Sequence, residues 1–505
     1  MEKQYLRPSW TCGRYDSKSR SAIYYNLLSG FSFYYEEDSA DVIGIILSQG
    51  RNKIFTNEQL SKMSGICQDD IDGFLKDLCN YGLLTTDIPT TETIQRYRAF
   101  CADSRKLSFS SKAIEDKLPI RLSTSEMDYT DKVDGITFVM LELTYRCSER
   151  CIHCYNPGAT RNNDEICNRG NRNELSLEQY KSIIDQLYEN GLIKVCLSGG
   201  DPFSNKYSWD IIRYLYDKEI AVDIFTNGLS IYNKIDILSQ YYPHRVAVSI
   251  YSGVEDEHDE ITRVRGSWKK TIQCLDSLTE YGIPTSIKCC VMMPNFKNYH
   301  SIVDIAKQYG AEPQIEVCIT DSVEGDLCVS TELRLPPELL EIILQDEDIP
   351  YYVGNKAPNF GGQKKDLKMN SCNAGLKNFC ITPEGYLIPC CSFHMKIADL
   401  KSQTIEEATK ANTILSSWLS ATLNDYIDCG KHDYCDYCNM CAGLNYSEHK
   451  DFKKAAENAC YFAKVRYNLA KKLMSGQKQL THNEITELLG KKPNWVKTNL
   501  KRIFK

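Results

Sequence analysis

The chain has 505 residues, enough for two to four domains, with 42% hydrophobic and 25% charged residues and a formal net charge of −7. That balance gives no electrostatic footprint for nucleic acid, and no apolar run approaches the roughly 20 residues of a membrane span. The opening Met-Glu-Lys-Gln-Tyr has no basic segment followed by an apolar one, so a cytoplasmic protein without a secretory signal is expected.

Residues 1–100 read as a small winged-helix-like module. Two β-rich runs between Ala22 and Tyr35 flank Ser29-Gly30, a hairpin signal. Ser39 offers an N-cap for a first helix, and Thr56 with Gln59 three residues on makes a capping box for a second. Ile71, Phe74, Leu75 and Leu78 share one face of a third helix, Asp69 to Tyr81. A DNA-reading module would carry a basic recognition helix. Here the third helix carries Asp69, Asp70, Asp72 and Asp77 against Lys76, which favours peptide binding over the DNA-binding alternative. Residues 101–134 are polar without sustained periodicity and read as a linker, with room for a short helix, that separates two cores.

From residue 135 strands and helices alternate. Strand runs fall at 136–144, 192–198, 221–226, 245–251, 284–292 and 313–319, with helical patterns near 176–190, 208–218, 232–240, 267–281 and 298–309. Such alternation predicts a parallel sheet flanked by helices, with the site at the C-terminal ends of the strands. The fold class expected is α/β, a partial (β/α)6 TIM-like barrel over 135–325. Gly199-Gly200-Asp201, Thr226-Asn227-Gly228 and Ser249 all fall at strand ends.

The 23 cysteines concentrate in two places. Cys147-Ser-Glu-Arg-Cys151-Ile-His-Cys154 follows the first barrel strand. Three thiolates on one tight loop can hold three irons of a [4Fe–4S] cube and leave the fourth open. Zinc would ask for a fourth ligand, and His153 lies too close in sequence to complete a tetrahedron. After a Pro- and Gly-punctuated bridge, 326–368, a second group occupies 369–465: Cys372, Cys390, Cys429, Cys435, Cys438, Cys441 and Cys460, with Cys380 and Cys391 left ambiguous. Pro383-Glu-Gly385 turns a hairpin that carries Cys390 just after its second strand. Two auxiliary iron–sulfur clusters are expected in this block, with structural zinc the alternative. Scattered thiols such as Cys196, Cys289 and Cys318 read as small buried hydrophobes. The tail, 466–505, is helical in pattern and ends basic at Lys497, Lys501, Arg502 and Lys505.

The cysteine loop, Leu197-Ser-Gly-Gly-Asp201-Pro-Phe, Val246-Ala-Val-Ser249-Ile-Tyr and Glu257-His-Asp-Glu-Ile-Thr262 together resemble the radical S-adenosylmethionine (SAM) enzymes, and Cys372 to Cys460 resembles their SPASM extension. The N-terminal order resembles the peptide-binding RiPP recognition element of enzymes that modify ribosomally made peptides. The resemblance implies that Cys147, Cys151 and Cys154 hold a SAM-binding [4Fe–4S] cluster, and that Gly199, Gly200, Asp201 and Ser249 contact SAM. Asp201 stands where Glu is common in the family. His258 and Asp259 match a recurrent family pattern that helix capping explains equally. The function implied is a radical peptide maturase acting on a precursor peptide with a leader, supplied with electrons by a flavodoxin or ferredoxin, and forming sactipeptide-type Cys thioethers. Carbon–carbon cross-linking, epimerisation and sulfatase formylglycine formation are the enzymatic alternatives. A non-catalytic iron–sulfur or zinc peptide-binding protein is the alternative of another class.

Overall fold

The structure, a computed structural model, describes residues 3–111, 123–156, 173–323, 331–410 and 412–493, with the side chains of 107–111 left aside. The N-terminal module opens with β1 (Gln4–Leu6), followed by β2 (Thr11–Asp16), β3 (Ser21–Asn26) and β4 (Phe31–Glu36), an antiparallel sheet in the order β2-β3-β4. Then come α1 (Glu37–Ser48), β5 (Ile54–Thr56), which pairs with β1, α2 (Asn57–Ser64) and α3 (Gln68–Asn80). The hairpin expected over Ala22 to Tyr35 is β3–β4. Thr56 and Gln59 form the reciprocal capping box of α2. Ser39 does not cap α1, which opens two residues earlier from Glu36.

Period-two alternation sorts β3 to two faces. Ala22 and Tyr24 face Ile43, Ile46, Leu60, Ile71, Leu75 and Leu78 of the three helices. Ile23 and Tyr25 face the other way, yet they are buried too. What covers them lies in the stretch expected to be a linker.

The described part of that stretch is folded. It contains the end of α4 (Thr91–Ser111) and all of α5 (Thr124–Lys132), which is capped by a Ser123–Glu126 box. Cys12, Ile23, Tyr25 and Leu27 of the module share one core with Tyr129 and Val133 and with Ile193 and Ala221 at the start of two barrel strands. Polar contacts follow the same seam. The buried Arg7 pairs with Glu219, and Arg51 Nη1 donates to the Tyr216 carbonyl at 2.9 Å. Arg105 donates to the Leu28 carbonyl at 3.0 Å and the Gly282 carbonyl at 2.8 Å. The linker expectation is therefore corrected: module and barrel share a core. Periodicity missed α5 because its buried side is polar, with Glu126 and Thr130 both buried.

The barrel runs β6 (Phe138–Thr144), α6 (Leu177–Glu189), β7 (Lys194–Gly199), α7 (Ser208–Asp217), β8 (Ala221–Thr226), α8 (Ile235–Ser239), β9 (Arg245–Ser249), α9 (Glu255–Thr262), α10 (Ser267–Glu280), β10 (Thr285–Cys290), α11 (His300–Tyr309) and β11 (Glu312–Glu316). The six strands are parallel and lie side by side in chain order, as their right-handed crossovers require. Val139, Leu141, Val195, Leu197, Ile224 and Val248 pack against Ile184, Leu187, Ile211, Leu215, Leu275 and Leu278 of the helices.

The sheet does not end at β6. β12 (Asn378–Ile381) pairs with it in parallel, Asn378 opposite Phe138 and Ile381 opposite Leu141. β13 (Tyr386–Ile388) and β14 (Ala398–Asp399) follow antiparallel, making nine strands. The hairpin was expected; its fusion to the barrel edge was not. That fusion brings Cys391 to the cavity that the cysteine loop lines. The helix Glu457–Met474 runs through the expected 465/466 boundary, and a last helix, His482–Gly490, packs Ile485 and Leu489 on Leu339, Leu340 and Ile343. The basic residues Lys497, Lys501, Arg502 and Lys505 lie outside the described residues. No helix among the described residues is long and apolar enough to cross a membrane.

Candidate active site

The cysteine loop leaves the C-terminal end of β6 and is pinned at both sides. Arg150 N donates to the Thr262 carbonyl at 2.9 Å and Ile152 N to the Ile261 carbonyl at 3.0 Å, so the end of α9 holds it from one side. The Gly199-Gly200-Asp201 turn holds the other. Gly200 N donates to Thr144 O at 2.7 Å and Asp201 N to Arg146 O at 2.9 Å. Gly199 has φ +124°, and a Cβ on either glycine would overlap the carbonyl oxygens of Thr144, Tyr145 or Arg146. The glycines are thus required by the close approach of the cysteine loop's own backbone, not only by a ligand.

A cavity of about 520 Å3 opens at the strand ends. Cys147, Cys151, Cys154, Gly199, Gly200 and Ser249 all line it. Asp201 does not. Its buried carboxylate accepts from Phe203 N at 2.9 Å and from Thr226 Oγ1 at 3.0 Å, and burial pushes it up to about 6. The expectation that Asp201 touches SAM is corrected to that of a brace beneath the turn. Asp259 also braces: it accepts from Ser267 Oγ and Trp268 N, each at 2.9 Å, at the start of α10. His258 acts through Tyr251, whose N–H donates to His258 Nδ1 at 3.1 Å. The Tyr251 ring in turn meets His153 edge-on at 4.6 Å.

Two donors aim at one sulfur. Asn227 Nδ2 lies 3.3 Å and Glu149 N 3.4 Å from Cys147 Sγ. Burial, then the carboxyls of Asp201 and Glu149, pushes the Cys147 thiol well up, and burial raises Cys151 and Cys154 as well. Three buried thiolates are costly without a cation among them, so the loop is built to surround positive charge. Glu149 Oε1 and Gln314 Oε1, both on cavity-lining residues, have no hydrogen-bond partner among the described residues.

The C-terminal thiols separate into two groups. Cys429, Cys435, Cys438, Cys441 and Cys460 line a small space of about 20 Å3, and Cys441 belongs to both groups. Cys372, Cys390 and Cys441 form the other group with Cys391: burial, then Cys391, Cys441 and Cys372, raises Cys390. Cys391, Cys438 and Cys441 reach the large cavity. Cys380 packs with Phe138, Met140, Cys196 and Ile388 inside the barrel, and Cys391 packs against the same cluster.

Sequence reasoning missed several lining residues: Tyr251, Lys288, Cys290, Gln314, Glu316 and Cys318. Lys288 Nζ sits 3.5 Å from the Phe225 ring centroid, and burial lowers its pKa. Burial raises Glu316, which accepts from Cys318 N at 2.7 Å and Val317 N at 2.9 Å. The signal available was position, since all six lie from the middle of β10 and β11 onward or just past the ends of β9 and β11.

The Radical SAM superfamily profile matches residues 141–309, from inside β6 to the end of α11. That segment is a radical SAM domain. The chain is similar to the antilisterial bacteriocin subtilosin biosynthesis protein AlbA of Bacillus subtilis, 23% identical over 331 residues, 64% of this chain and 70% of that one. It is also similar to the sporulation killing factor maturation protein SkfB of Bacillus subtilis, 21% identical over 254 residues, 50% of this chain and 59% of that one. Streptococcus suis SuiB, solved bound to its precursor peptide SuiA, aligns with a TM-score of 0.46 at 15% identity, covering 90% of this chain and 99% of that one. A radical SAM domain implies a [4Fe–4S] cluster and SAM, and the cavity at its strand ends offers a three-thiol loop, sulfur-directed N–H donors and open space.

Proposed function

We propose that the protein is a radical SAM maturase of a ribosomally made precursor peptide, forming thioether links from Cys sulfur to carbon of another residue. One observation carries the reading: a single cavity is lined by the Cys147/Cys151/Cys154 loop and also by Cys391, Cys438 and Cys441 of the second cysteine block. A cavity so lined brings a peptide within reach of both cysteine groups. AlbA and SkfB, named for bacteriocin and killing-factor maturation, support the same class.

Cys147, Cys151 and Cys154 would hold the cluster, with Asn227 and the Glu149 amide tuning one sulfur. Gly199, Gly200 and Ser249 would border SAM. With SAM bound, that cluster supplies one-electron cleavage of the sulfonium and a 5′-deoxyadenosyl radical that abstracts hydrogen. The protein's part is orientation and exclusion of water: Tyr251, held by His258, walls one side, and Lys288, Gln314 and Glu316 offer polar contacts to a peptide. Cys429, Cys435, Cys438 and Cys460 would hold one auxiliary cluster, and Cys372, Cys390 and Cys441 a second. Electrons would come from a flavodoxin or ferredoxin in a reducing cytoplasm.

A leader peptide would bind the N-terminal module by adding a strand to β4. Phe33 and Tyr35 on β4 face Tyr81 and Phe74 at ring distances of 4.9 and 5.6 Å, forming an aromatic trough between strand and α3.

The test is anaerobic incubation of the cluster-loaded protein with SAM, a reductant and a Cys-containing precursor peptide. Formation of 5′-deoxyadenosine, with loss of two hydrogens per cross-link and protection of the Cys from alkylation, is expected. Deoxyadenosine with free thiols retained would move the assignment to carbon–carbon linkage or epimerisation. No deoxyadenosine, with zinc in place of sulfide, would overturn the enzymatic reading.

A further inference from the structure

Outside the cavity lining, three chain segments meet at one carboxylate. His300 opens α11, Asp346 follows the helix Pro337–Ile343, and His482 opens the last helix. Asp346 Oδ2 lies 2.5 Å from His300 Nε2 and 3.9 Å from His482 Nδ1. The two imidazole rings are 4.1 Å apart, and one ligand atom from each of the three residues lies within 4.8 Å of the others.

The surrounding hydrogen bonds orient these groups. Tyr299 OH donates to Asp346 Oδ2 at 2.6 Å, and Asp348 N donates to Oδ1 at 3.0 Å. Thr486 Oγ1 donates to the His482 carbonyl at 3.0 Å and lies 3.3 Å from His300 Nδ1. A proton on His300 Nε2 satisfies its 2.5 Å contact with the carboxylate, but it serves only that one histidine. A second imidazole beside the same oxygen is explained by a metal ion. Two His and one Asp, with the His300 ring and the Asp346 carboxylate held by outer hydrogen bonds, are ligands of zinc and similar divalent transition metals.

We propose that His300, Asp346 and His482 bind one divalent transition metal ion of the zinc class, with water completing the shell. The ion joins the last helix to barrel helix α11 and to the bridge after β11. This site is separate from the iron–sulfur centres and contains no thiolate, which makes it distinguishable in a protein rich in cysteine.

The experiment uses full-length protein with its clusters loaded, stripped of adventitious metal by a chelator and then dialysed against Zn2+ or Co2+. One zinc per chain should bind beyond the iron, and Co2+ should give weak d–d bands without the intense sulfur-to-cobalt charge transfer of a thiolate site. His482 is 57% exposed, so His482→Ala should fold normally. It should bind zinc about tenfold more weakly or worse, and His300→Ala should do the same. Zinc should raise the unfolding temperature of the wild type and not of His482→Ala, since a ligand stabilises only the state that binds it. Three results would overturn the proposal: no uptake beyond iron, equal uptake by wild type and His482→Ala, or cobalt spectra dominated by sulfur charge transfer.

Discussion

Replacing Glu126 by Ala tests how module and barrel are joined. Glu126 is 1% exposed; its Oε1 accepts from Lys194 Nζ at 2.7 Å and from Tyr25 OH at 2.9 Å, and its Oε2 accepts from Ser123 N at 2.6 Å. The substitution strands a buried lysine, a loss that typically costs about 3–5 kcal/mol. Asp223, 3.5 Å from Lys194, compensates part of this, while loss of the capping box adds about 1 kcal/mol. A net loss of about 3–4 kcal/mol is expected, localised to the seam, which raises the opening equilibrium by roughly a hundredfold or more. Native-state proteolysis of the anaerobic protein, in the regime where cleavage reports the open population, would read that change. Adding Lys194→Met removes the stranded charge and should restore most of the protection. Unchanged protease resistance in Glu126→Ala, or no rescue in the double variant, would refute the shared-core argument. The same core shows why deleting residues 1–100 is a poor probe of leader binding: it would strip Cys12, Ile23, Tyr25 and Leu27 from the barrel floor.

Gly200→Ala should impair loading of the first cluster although its methyl group removes no ligand, because a Cβ there collides with the Tyr145 and Arg146 carbonyls; iron content and 5′-deoxyadenosine yield would check it. Changing Phe33 to Asp should weaken leader binding in fluorescence anisotropy without altering SAM cleavage in the absence of peptide. Glu142 is buried and pushed up to about 7 by that burial, so the folded protein holds its proton longer than the unfolded chain. Stability is then fullest below the ordinary carboxyl range and declines as pH rises toward 7. Glu142→Gln should remove the decline and add up to ~3 kcal/mol above it, read as a thermal midpoint that no longer falls with pH.

The barrel was legible because its strands are buried runs and its helices amphipathic, two periods that hydropathy separates well. Each of the six strands lies within three residues of its expected bounds at its start and within about three at its end. The cysteine loop was legible because its ligand spacing is local. What escaped has a physical reason. β12 is only four residues long and gains its partner, β6, from 240 positions earlier in the chain, Asn378 against Phe138. α5 was hidden because its buried contacts are an ion pair and hydrogen bonds. The second demand on Gly200 and the place of Asp201 beneath the turn escaped because the glycine's neighbour in space is the cysteine loop itself, a contact that residue type alone does not reveal. The partition of the second cysteine block likewise depends on Cys441 lying near Cys390 and Cys372, residues brought together by the β12–β13 hairpin and the helix Ala442–His449 that follows Cys441.

The position of the module sets a geometric demand on any substrate that uses both ends of the molecule. The module contacts Ile193, Glu219 and Ala221, and Arg105 of α4 contacts Gly282, all at or just before the starts of barrel strands, whereas the cysteine loop lies past the strands' opposite ends. β6 has seven residues, so the two levels are separated by about 20 Å along the strand direction. An extended chain advances at most about 3.5 Å per residue, and a peptide must pass outside the helices and not through the packed barrel. A leader held at the β4 trough therefore needs a spacer of at least about six residues before its first modified position. Shortening the spacer of the precursor stepwise should leave leader affinity unchanged in anisotropy while modification, followed by mass spectrometry, stops near that length. Supplying the leader as a separate peptide should then restore modification of the shortened core. Full modification with a spacer of two or three residues would show that leader and core do not occupy these two sites at once.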